Sequence, residues 1–124
     1  MLHIQLQEML EHYKNNYKKM KNIPATITIT VSGGVGSGTT SSFLPMESAS
    51  GKIIQLIVTP PNESFDYDLY IQSPQSRRVY IEKGCVGTFI MDREIKTEKG
   101  TYIIGLENAK DGTYIIDLLF NGAW

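Results

Sequence analysis

The sequence predicts a mainly β fold: a jelly-roll-like antiparallel β-sandwich of about eight strands, with an N-terminal α-helix. Three observations lead there. Short runs rich in Ile, Val, Thr and Tyr recur through most of the 124 residues, several of them alternating apolar with polar. Clusters of Gly, Pro, Asn and Asp punctuate those runs at intervals of roughly 8–12 residues. A three-and-four spacing of apolar residues, the helical signature, is confined to the stretch before Ile23-Pro24.

The helix is expected over residues 1–22 and the sandwich domain over 23–124. Leu2, Leu6, Met9, Leu10, Tyr13, Tyr17 and Met20 fall on one helical face. Lys14, Lys18, Lys19 and Lys21 crowd the C-terminal end, where they suit the helix dipole. Pro24 disfavours continuation past Asn22. Leu2, Ile4 and Leu6 also alternate as a strand would, so the first residues stay open between the two. Such a helix is marginal alone, and its stripe needs a surface on this domain or on another subunit.

Past Pro24, the run Ala25-Thr-Ile-Thr-Ile-Thr-Val31 puts Ile27, Ile29 and Val31 on one face and threonines on the other. Phe65-Asp-Tyr-Asp-Leu-Tyr-Ile71 does the same, with Phe65, Tyr67, Leu69 and Ile71 inward. Further strands are expected at 42–46, 52–59, 77–82, 86–92, 101–106 and 113–120. Turns are expected at Pro60–Ser64, Ser73–Ser76, Glu82–Gly84, Glu98–Gly100 and Lys110–Gly112. Gly87 and Gly105, inside strand-like runs, predict bulges or close contacts.

Composition bounds the function. Hydrophobic residues make up 41% and charged residues 20%, which suffices for a core. Twelve basic against thirteen acidic residues leave a net charge of -1. That lacks the footprint of a general nucleic-acid or anionic-membrane binder. The single cysteine cannot form an intrachain disulfide. Gln5, Gln7 and Glu8 interrupt any apolar signal region, so a soluble chain without a secretory leader is expected. The longest apolar stretches, such as Ile53–Val58, are too short to span a bilayer.

Each candidate chemistry has a structural counterpart. Gly33-Gly-Val-Gly-Ser-Gly-Thr-Thr40 resembles a phosphate-binding loop, but Thr39 stands where the lysine belongs and Pro45 follows soon after. A flexible glycine-rich loop between strands is the stronger reading. Glu63, Asp66 and Asp68 offer the oxygens a calcium ion takes, although without EF-hand spacing. Acidic residues on a solvent face are the alternative. His3 and His12 fall on roughly opposite faces of the expected helix, away from any nucleophile. Cys85 reads as a small core or turn cysteine, and Arg77, Arg78, Tyr80 and Lys83 as a charged edge that discourages strand pairing. These readings leave no catalytic residue and no cofactor. Leu6, Met9, Tyr13, Tyr17, Met20 and Trp124 are the expected interface residues, because aromatic and methionine side chains anchor protein contacts.

From residue 50 to residue 120 the chain resembles two groups of small β-sandwich domains. Phe65-Asp-Tyr-Asp-Leu-Tyr-Ile71, Gly100-Thr-Tyr-Ile-Ile104 and Gly112-Thr-Tyr-Ile-Ile116 resemble pre-peptidase C-terminal domains of secreted proteases. That resemblance implies sugar or protein binding, sometimes with calcium. Ser50-Gly-Lys-Ile-Ile54, Tyr67-Asp-Leu and Glu107-Asn-Ala-Lys-Asp-Gly-Thr-Tyr114 resemble accessory proteins of bacteriophage virions, notably of the tail and head. That resemblance implies a non-enzymatic, oligomeric building block. The expectation is therefore a structural protein of a virion, with partners that are copies of itself or other assembly proteins rather than nucleic acid or membrane. A ligand-binding module of a secreted system, taking carbohydrate, protein or calcium, is the alternative; a cytoplasmic location is the alternative to the virion.

Overall fold

The computed structural model describes residues 20–40, 51–98 and 100–123. Nine strands run in order: β1 (Met20–Val31), β2 (Gly36–Thr39), β3 (Gly51–Thr59), β4 (Asp66–Gln72), β5 (Arg78–Val86), β6 (Phe89–Met91), β7 (Ile95–Thr97), β8 (Ile103–Glu107) and β9 (Gly112–Ala123). They form two antiparallel sheets. One has the order β1-β9-β3-β6, with β7 also on β3; the other has the order β2-β8-β4-β5. The segments β6 and β7 pair with opposite ends of β3 and together fill the fourth position of the first sheet.

Strand alternation builds the core. Ile27, Ile29 and Val31 of β1, Tyr67, Leu69 and Ile71 of β4, and Tyr114, Ile116 and Leu118 of β9 are all buried. Their polar neighbours Thr26, Thr28, Asp66, Thr113 and Asp117 are exposed. Both sheets contribute to one hydrophobic cluster. Across it, the Tyr67 ring of β4 meets the Tyr114 ring of β9 edge-on, with centroids 5.6 Å apart at 77°. Each of these rings keeps a partner for its hydroxyl: Tyr67 donates to the Gly87 carbonyl at 2.6 Å and Tyr114 to that of Lys110 at 2.8 Å.

The loop expected at Gly33–Thr40 is corrected in part. Gly33 and Gly34, at φ 68° and 90°, turn the chain, and Ser32 donates its amide to the Val35 carbonyl. Gly36–Thr39 is then a strand paired with β8, not a loop. Its glycines permit contact. A Cβ on Gly36 would lie 2.7 Å from the Thr30 carbonyl oxygen, and one on Gly38 would lie 2.4 Å from Ile27 Cγ2. β2 therefore lies against β1 at a separation that side chains would prevent.

Two further expectations change. The helix placed over 1–22 lies mostly outside the described residues. Its last positions, Met20, Lys21 and Asn22, are strand: they pair with Ala123, Gly122 and Asn121, and Asn121 donates its side-chain amide to Asn22 at 2.6 Å. Pro24 does not terminate this element. It sits within β1, an edge strand, where a missing N–H is tolerated. The turn expected at Glu82–Gly84 is a bulge inside β5, between the pairs Tyr67↔Cys85 and Leu69↔Glu82. The strand expected at 42–46 lies outside the described residues.

Candidate functional site

The outer face of the β2-β8-β4-β5 sheet carries a shallow cleft of about 170 Å³, between Asp68, Tyr70, Arg78, Ile81, Lys83, Glu107 and Asn108. Register places its floor. Tyr70 pairs with Gly105 on one side and Ile81 on the other. The Tyr70 ring lies over Gly105, so closely that a Cβ there would stand 2.0 Å from Cζ. The Arg78 guanidinium covers the ring, 4.0 Å from its centroid. Arg78 also donates through both terminal nitrogens to the Glu107 carboxylate. That paired contact holds the Glu107 carboxyl below its ordinary range and raises the Arg78 guanidinium.

Asp68 sets the rim. It accepts from Asn108 Nδ2 at 2.8 Å and from the Gly84 amide at 2.9 Å. Those two bonds, that of Asn108 first, lower its carboxyl from the usual value. Its role is to close the β5 bulge and to hold the turn after β8. Glu63 does similar work elsewhere: it accepts from the hydroxyl and the amide of Thr88, and these bonds hold its carboxyl low. Asp66 stays exposed on β4, opposite Val86. The three proposed calcium ligands are thus not gathered. Among the described residues, no group of three or more His, Cys, Asp or Glu side chains is placed to hold a metal ion.

The glycine-rich motif presents no phosphate cradle among its described residues. The Gly33 amide is taken by Asp111 Oδ1 at 3.0 Å, and the Gly34 carbonyl accepts from Ala109. Cys85 is buried in the core, and desolvation pushes its thiol up to about 11. Burial similarly pushes Tyr80 up to about 12. Neither is poised as a nucleophile or base near neutral pH. Leu6, Met9, Tyr13, Tyr17 and Trp124 lie outside the described residues. The remaining expected contact, Met20, is the first residue of β1.

Sequence reasoning did not find a second surface. On the outer face of the first sheet, Ile57 of β3 pairs with Ile90 of β6 on one side and with Asp117 of β9 on the other, and Ile115 of β9 lies diagonal to it, opposite Thr59. Ile90 is 58% exposed and Ile115 42%, with Ile57 half-buried. Alternation in each strand signalled that these residues point away from the core, but only the strand order makes them neighbours.

No family model and no curated protein sequence matches the chain. Among solved structures it is similar to the Drosophila NLP core, described as informative on pentamer formation and histone binding. The match has 15% identity and a TM-score of 0.46, over 81% of this chain and 95% of that one. It is also similar to the infectious bursal disease virus VP2 subviral particle, at 8% identity and a TM-score of 0.22, over 85% of this chain and 41% of that one. The Gt strain of the same virus matches at 10% identity and a TM-score of 0.20. The chain spans about two fifths of the length of the viral chains it matches. These structures speak for neither the phage nor the pre-peptidase resemblance.

Proposed function

We propose that this chain is a non-enzymatic structural protein that assembles with copies of itself, as a component of a virion. The observation that carries the reading is the Ile57–Ile90–Ile115 patch on the outer face of the β1-β9-β3-β6 sheet. Neighbouring isoleucines left in water on a sheet whose other face is already buried favour a contact surface. The strand order supports the finer part. Two four-position sheets in the orders β1-β9-β3-β6 and β2-β8-β4-β5 fit a jelly-roll sandwich, an architecture recurrent in capsids and lectins. The carboxylates at the cleft support a structural role, since their acceptor positions are engaged by Arg78, Asn108 and Gly84.

The experiment is the mass of the full chain in solution. Assembly predicts a species of several chains at micromolar concentration, and loss of that species when Ile90→Asp places a charge in the patch. A second reading, a ligand-binding module of a secreted system, is favoured by the polar cleft around Asp68, Arg78 and Glu107. It predicts a raised melting temperature with calcium or one member of a glycan panel, since a ligand of the native state stabilises it. No shift with either removes that reading.

A further inference from the structure

We infer that the edge of β1 left unpaired among the described residues pairs with the same edge of a second copy, joining two sheets into one across a two-fold axis. This rests on the assembly reading and names a surface for it. The four sheet edges among the described residues differ in how they resist pairing. β5 carries Arg78, Glu82 and Lys83 and is bulged at two places against β4. β6 and β7 are three residues each and are flanked or occupied by Asp92, Arg93, Glu94 and Lys96. β2 has four residues. Charge, bulges and shortness are the devices that keep edges from adding strands.

β1 lacks nearly all of them. It is twelve residues long and pairs with β9 without a register shift. No residue from Asn22 to Val31 is charged. Among the described residues β2 passes it closely, Gly36 at Thr30 and Ile29 and Gly38 at Ile27, but no strand is hydrogen-bonded to its other side beyond the Ser32–Val35 turn. Its protective residues are Lys21 and Pro24, at one end, and Pro24 confines pairing to Ala25–Ile29.

The occupant follows from the sequence of that stretch. An antiparallel pairing about a two-fold axis at Ile27 sets Thr26 opposite Thr28 of the second copy, and Ala25 opposite its Ile29. The threonines are exposed in the single chain, where Thr26 donates its hydroxyl to Asp117 at 2.8 Å, and would stand opposite each other on the outer face, a favourable cross-strand combination. The inner row of one copy continues that of the other. A self-paired strand brings each residue near its own kind across the axis, so an edge bearing charge would repel itself. This uncharged, alternating edge does not.

The test uses the full chain. Sedimentation velocity is compared for the wild type and for the double variant Thr26→Lys with Thr28→Lys, which sets lysines against each other across the axis. Hydrogen exchange is followed in the wild type at the alternate amides of Ala25–Ile29 that do not bond to β9. The expected result is loss of the largest wild-type species in the variant, with an unchanged far-UV spectrum, and slow exchange at those amides. An assembled wild type with fast exchange there overturns the edge pairing and leaves the assembly reading standing, whether or not the variant folds. So does a folded variant that assembles as the wild type does. A monomeric wild type overturns both, and slow exchange in that monomer assigns the edge to the chain's own remaining segments.

Discussion

Asp68 and Glu63 illustrate how a residue's chemistry depends on what surrounds it. Both are acidic residues beside a turn-rich stretch, the pattern that suggested a cation site. In the fold their oxygens serve the chain itself: Asp68 takes the Asn108 amide and the Gly84 N–H, Glu63 the hydroxyl and N–H of Thr88. Sequence could not disclose this, because those partners lie 16 to 40 residues away. Both carboxyls, and that of Glu107, titrate below their ordinary values. Their contribution to stability is therefore complete above the unfolded value of ~4 and is lost as pH falls through the lower folded values. Thermal melts are expected to drop over that acid range, with a smaller drop for Asp68→Asn. Gly105, by contrast, was legible as a site of close approach, and the Tyr70 ring is what approaches it. Cys85 was legible as a small core or turn cysteine; it is buried, and that burial has a chemical readout. With its thiol raised to about 11, iodoacetamide at pH 8 should label it slowly in the native protein and rapidly in denaturant.

At the scale of elements, apolar-polar alternation made β1 and β4 visible, because each has one face in the core and one toward water, while richness in Ile, Val, Thr and Tyr marked β3, β8 and β9. β2 was not visible. Gly-Ser-Gly-Thr has low strand propensity, and what makes it a strand is pairing with β8 and close passage over Ile27 and Ile29. β7 is too short to show a period. The start of β1 was misplaced because Met20 continued the helical spacing and Pro24 read as a boundary, while the partner strand β9 lies about a hundred residues on. Gly36→Ala tests the packing of β2. Its methyl would meet the Thr30 carbonyl and Ile29, and backbone cannot yield as a flexible side chain would. Urea unfolding is expected to show a loss of about 1–3 kcal/mol, whereas an unchanged midpoint would mean β2 sits farther from β1.

For the whole molecule, the sequence carried the class but not the order. Two antiparallel sheets follow from many short alternating runs with turns between them. The crossovers that place β9 between β1 and β3, and β8 between β2 and β4, have no local signal; they arise where buried faces find each other at long range. The same holds for the surfaces on which the functional reading depends. Ile57, Ile90 and Ile115 are scattered in the chain and come together only in the sheet, Ile90 directly opposite Ile57 and Ile115 diagonal to it. On the proposed function, this body contacts copies of itself. Sedimentation velocity of the intact chain, run at several micromolar concentrations, measures that directly. Self-assembly gives a boundary at a multiple of the 13.9 kDa chain mass; a single boundary at that mass throughout would rule it out.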